Sequence, residues 1–97
     1  MNEVIGFEIN DQKGKFFILI NGKEEAEMTF FFTSQNEITI NHTSVFPGNE
    51  GKSFGKKMVA KAVEFARERN IKITPICPFA KKVLENTPEF SDVLKIV

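Results

Sequence analysis

Glu37–Val45 (EITINHTSV), Phe46–Lys57 (FPGNEGKSFGKK), Met58–Asn70 (MVAKAVEFARERN) and Ile71–Phe79 (IKITPICPF) follow one another without a break. The first alternates as a strand does, the second carries the glycines of a loop, the third has helical spacing, and the fourth returns to strand. A helical connection between two strands of one sheet makes them parallel neighbours. A strand that runs through a glycine-containing loop into a helix also presents backbone N–H groups at the helix start, where the dipole favours negative charge. The second strand ends on Cys77, the one cysteine of the chain. Ligands in such sheets sit at the carboxyl ends of parallel strands, here His42–Val45 and Cys77.

The helix follows from its period. Gly55, Met58, Val59, Ala62, Val63 and Ala66 form an apolar stripe, with Lys56, Lys57, Lys61, Glu64, Arg67 and Glu68 on the wet side. Ser53 suits the N-cap and Asn70 the C-terminal stop. Upstream the period is two. Val4–Asn10 reads as a strand ended by Asp11–Gly14, and Lys15–Ile20 is an apolar run bounded by the hairpin dipeptide Asn21-Gly22. Glu25–Thr33 places Ala26, Met28, Phe30 and Phe32 on one face. After the Ser34-Gln35-Asn36 turn, alternation puts Ile38, Ile40 and His42 on one face and Thr39, Asn41 and Thr43 on the other. Downstream, Ile71–Ile76 is the fifth strand. Pro78 opens a second helix through Asn86, stopped by Thr87-Pro88, and Glu89–Val97 is an apolar-ended tail expected to pack back onto the sheet. The fold class is α+β in the order β-β-β-β-α-β-α. The sheet is mixed and mostly antiparallel, with the fourth and fifth strands parallel.

The chain has 97 residues, enough for a single domain over 1–97. Its 13 basic and 13 acidic residues balance, which argues against nucleic acid as a partner. No apolar run reaches the ~18 residues of a membrane span. The acidic N-terminus lacks a signal core, and a lone cysteine makes no internal disulfide, so a cytoplasmic setting is expected. All 11 aromatic residues are Phe, which implies a dry core with few polar aromatic handles.

Three features can carry chemistry. Glu50-Gly51-Lys52-Ser53-Phe54-Gly55 reads either as a phosphate-holding loop or as a glycine turn with a solvated lysine face. It is not a nucleotide-hydrolase loop, because Phe46 stands where that motif needs its leading glycine. Cys77 sits at the start of the second helix, where a thiolate is favoured, or is a small buried hydrophobe. His42, the single histidine, reads as a general base in the strand mouth or as a hydrogen-bonded core residue. One His and one Cys do not make a metal site.

Taken in order, His42-Thr43, the Glu50–Gly55 loop, Ala62–Arg67 with its Phe65-Ala66-Arg67, and Pro75-Ile76-Cys77-Pro78-Phe79 resemble the small N-acetyltransferase-like proteins of the GNAT superfamily. The resemblance covers most of the chain and is densest from Ile40 to Phe79. It implies a GNAT-like minimal fold, acetyl-CoA as co-substrate and an amine acceptor. In that superfamily an Arg/Gln-x-x-Gly-x-Gly/Ala loop wraps the pyrophosphate. Glu50, Gly51, Lys52, Ser53, Phe54 and Gly55 occupy its place, with Lys56 following, and Glu50 and Ser53 depart from the pattern. The pantetheine arm would pair along Thr43, Ser44 and Val45, where the fourth strand splays from the fifth, and Pro78 and Phe79 belong to the cofactor-binding set as well. Cys77 would be the nucleophile or line the acyl pocket, and His42 would be the base. The resemblance implies an acyl-CoA-dependent N-acyltransferase, monomeric or a weak homodimer. Its alternative is a non-catalytic module that binds or senses acetyl-CoA or CoA.

Overall fold

Four strands joined by tight turns form an antiparallel meander, and a fifth enters beside the fourth by a helical crossover. The computed structural model describes residues 2–95. The strands are β1 (Glu3–Asn10), β2 (Lys13–Ile20), β3 (Lys23–Ser34), β4 (Glu37–Val45) and β5 (Lys72–Pro75), in the sheet order β1-β2-β3-β4-β5. Among the described strands, β4 and β5 pair in parallel and the other neighbours are antiparallel. The helices are α1 (Phe54–Arg69) and α2 (Pro78–Asn86), followed by a short 3-10 turn at Pro88–Phe90. No helix among the described residues is long and apolar enough to cross a membrane.

One face of the sheet packs against both helices. The α1 stripe from Gly55 to Ala66 is buried as its spacing predicts, and Phe54 and Phe65 are buried with it. Phe65 is the hub of the aromatic core: its ring lies 5.0 Å from Phe7, 5.6 Å from Phe16 and 5.8 Å from Phe30. Tilted and edge-on rings at such distances gain beyond their burial, about 0.5–1.5 kcal/mol per pair. Asn70 ends α1 in the left-handed region (φ 54°), a conformation Asn tolerates, and its N–H donates to the Ala66 carbonyl. The tail returns to the sheet as expected: Leu94 bridges Ile73 in parallel fashion and Val93 is buried. Arg67 holds this tail to α1 through Asp92 at 2.8 Å. Of the four apolar tail residues, Ile96 and Val97 lie outside the described residues.

Bulges change what simple alternation implies. In the β3–β4 ladder Thr29 opposes His42, but the next residue, Phe30, opposes Ile40, so Asn41 is an extra residue in β4. Directly opposed residues share a face. Thr43 therefore faces the core opposite Met28, while His42 lies on the outer face opposite Thr29. This corrects the expectation that His42 follows Ile38 and Ile40 on one face with Thr43 on the other. A smaller correction concerns β5. It ends at Pro75 because the Ile76 and Cys77 amides both turn to the Ile40 carbonyl, at 3.0 and 3.1 Å.

Candidate functional site

The β4–β5 ladder stops at Ile40↔Pro75. Beyond it Thr43–Val45 pair with β3 alone, while the chain after β5 turns away into α2. The gap between them opens into a cleft of about 420 Å³. Its wall is Thr43 and Val45 from β4, Asn49–Gly51 and Ser53 from the loop, Phe54–Lys56 from α1, and Phe79 from α2. Nine of the expected cofactor-site residues thus come together around one space. Ser44, Lys52 and Pro78 lie outside the wall.

The loop is built to leave amides free. The first intrahelical bond of α1 runs from Lys57 N–H to the Ser53 carbonyl at 3.0 Å. The Phe54, Gly55 and Lys56 amides precede it, and a helix start leaves such donors without backbone acceptors. All three residues border the cleft. Gly51 (φ 81°) and Ser53 (φ 61°) bend the chain into this approach. Ser53 occupies the N-cap position but closes no side-chain cap bond, so its part here is conformational. Gly55 has a packing reason as well. A Cβ there would meet the Phe79 ring at 2.5 Å, so α1 and α2 meet closely only because the position is glycine.

Asn49 anchors the loop, and sequence reasoning missed it. It is 6% exposed. Its Nδ2 donates to Glu25 Oε1 at 2.9 Å and to the Phe46 carbonyl at 3.0 Å, and its Oδ1 accepts from Lys52 Nζ at 3.1 Å. The Pro47-Gly48 turn before it is the only sequence signal that the chain doubles back here. Glu50, one of the two departures from the loop pattern that the resemblance implies, turns back: its carboxylate accepts from the Gly48 N–H at 3.0 Å.

The lysines of the loop and of α1 do not gather at the cleft. Lys57 pairs with Glu3 at 2.8 Å, Lys61 with Glu64 at 3.3 Å, and Lys52 is engaged with Asn49. Lys56 forms no ion pair among the described residues and stands at the cleft. No group of three or more potential metal ligands occurs among the described residues.

Cys77 sits behind Thr43 and is not part of the cleft wall. Its Sγ–H donates to Thr43 Oγ1 at 3.2 Å. Burial pushes the thiol pKa up, but the Thr43 hydroxyl and the amides of Ala80, Phe79 and Thr43 outweigh it and hold the thiol below its ordinary value. The Ala80 and Phe79 amides favour the thiolate from α2's first turn without closing a full cap hydrogen bond. His42 is exposed on the opposite face of β4, and the structure does not bring it together with Cys77.

A GNAT-like α+β fold, with a cleft where two parallel strands part beside a helix start, defines the class. The chain belongs to the GCN5-related N-acetyltransferase family, whose pattern it matches over residues 15–93. It is 36% identical to a GCN5-like protein from Staphylococcus aureus. That match covers 95% of this chain and 89% of the other, with a TM-score of 0.72. Two more distant structures share the fold. The ribosomal-protein-alanine N-acetyltransferase of Brucella melitensis is 16% identical with a TM-score of 0.67, the match covering 80% of this chain and 62% of that one. A predicted acetyltransferase from Clostridium acetobutylicum, crystallised with acetyl-CoA, is 20% identical with a TM-score of 0.62, over 78% of this chain and 56% of that one. No match is found among curated proteins.

Proposed function

We propose that the chain is an N-acyltransferase that takes its acyl group from acetyl-CoA and passes it to a small or peptidyl amine. The observation that carries this reading is the set of three helix-start amides, Phe54, Gly55 and Lys56, bordering a cleft that continues between Thr43–Val45 and Phe79. The amides and Lys56 would hold the pyrophosphate. The pantetheine would lie along Thr43–Val45, bringing the thioester toward Thr43 and Cys77. There the amine nitrogen attacks the thioester carbonyl carbon, the C–S bond breaks, and the CoA sulfur leaves with a proton given up by the amine. Cys77 would border the acyl group or accept it first. An imidazole on the outer face of β4 would serve an acceptor that approaches from that side.

The second reading, a non-catalytic CoA-binding module, draws on one observation. The candidate thiol and the candidate base stand on opposite faces of β4. A thermal-shift titration with acetyl-CoA and CoA, followed by turnover on a panel of amines, separates the two. Ligand at about 100 times its Kd adds roughly 2.7 kcal/mol of stability. In a domain of this size that raises Tm by about 10–20 °C. A shift with turnover supports the enzyme; a shift without turnover supports the module. No shift at saturating ligand overturns both.

A further inference from the structure

Among the described residues only one side chain makes a hydrogen bond to the chain's single thiol, and it belongs to the strand whose register is shifted. Without the bulge at Asn41, alternation along β4 would turn Thr43 outward and His42 inward. With it, Thr43 opposes Met28 on the core face and its Oγ1 comes to 3.2 Å from Cys77 Sγ. From the other side, Cys77 is fixed by its own backbone, whose N–H donates to the Ile40 carbonyl at 3.1 Å just before α2 begins. The two halves of the contact are thus set by separate elements. Thr43 also borders the cleft while Cys77 does not, so the residue that contacts the sulfur is itself part of the cleft wall.

We infer that Thr43 is a positioning residue for Cys77: its hydroxyl, turned inward by the β-bulge at Asn41, holds the sulfur behind the cleft wall and donates to it once the thiol has lost its proton. A hydroxyl is suited to both states. It accepts from the S–H of the thiol, and after that proton passes to solvent it rotates to donate to the thiolate. The amides of Phe79 and Ala80 face the sulfur from α2 and act in the same sense. No charged group takes this part. His42 of β4 is on the far face, and Lys81, Lys82 and Glu85 of α2 and Lys56 of α1 are exposed. Among the described residues no ion pair or hydrogen bond joins any of them to the sulfur. The inference rests on the acyl-transfer reading only for the use made of the sulfur; the contact itself stands without it.

The test needs no ligand, so its failure is distinct from failure to bind acetyl-CoA. The chain has one Cys, no Trp and no Tyr, so the ultraviolet absorbance of the thiolate reports Cys77 alone. In the wild-type protein its pH midpoint lies below that of free cysteine. Thr43→Val keeps the shape and removes the hydroxyl, and the midpoint rises. Thr43→Ser restores it, which a merely structural role for the methyl group would not produce. A Thr43→Val midpoint equal to wild type overturns the inference. Should that variant not fold, Thr43→Ala removes the same hydroxyl with a smaller side chain, and an Ala midpoint equal to wild type overturns the inference equally.

Discussion

The resemblance to the GNAT superfamily places Ser53 at a glycine position of its loop, and the backbone of Ser53 has a conformation that glycine adopts freely. At φ 61° it lies in the left-handed region, which costs a residue with a Cβ about 1 kcal/mol or more. Its hydroxyl closes no cap bond in return. Ser53→Gly should therefore raise stability, by about 0.5 kcal/mol once the greater freedom of glycine in the unfolded chain is counted. Urea unfolding measures this as a higher midpoint at unchanged slope. A lower midpoint would mean that the side chain makes a contribution its position does not reveal. Glu50 departs from the family's loop in charge, and the Gly48 N–H gives its carboxylate a partner of its own.

At the scale of elements, the Phe46–Ser53 loop has little apolar burial and depends on Asn49. That amide ties the loop to Glu25, itself the extra residue of a bulge where β3 leaves register with β2. Asn49→Ala removes a buried side chain that satisfies three partners. It should cost about 1–2 kcal/mol, the price of buried polar groups left unpaired. Calorimetric titration should also show weaker CoA binding, because the amides of the α1 start lose their fixed approach. Unchanged stability and affinity would show that the loop is held from elsewhere. This element marks where reading the sequence stops. The strands and both helices were legible, because the change of period from two to 3.6 falls between Val45 and Gly55 and Pro78 punctuates the second helix. Around the cleft, the Glu50–Gly55 loop was legible from its glycines ahead of a helix start, while the pantetheine path along Thr43–Val45 and the place of Phe79 came from the resemblance to the GNAT superfamily. The bulge was not legible: Thr39-Ile40-Asn41-His42-Thr43 alternates without a glycine or proline to mark a slip. With it went the face of His42 and the partner of Cys77. Asn49 escaped because a lone polar residue in a loop carries no period at all.

Across the whole molecule, the sheet is assembled from two kinds of connection. β1 to β4 are joined by turns of a few residues, so their pairings are local. The β4–β5 pairing joins Ile38 to Ile73 across the loop and all of α1. Closing such a span has a larger entropic cost than closing a hairpin. We expect pulse-labelled hydrogen exchange during refolding to protect β2 and β3 amides before those of Ile76 and Cys77, both of which bond to Ile40. Simultaneous protection would contradict this order. The cleft, the free amides and the thiol all lie at that one long-range junction. On that order they come into being with the last seam of the sheet, and a ligand that bridges the cleft would recognise only chains whose folding is finished.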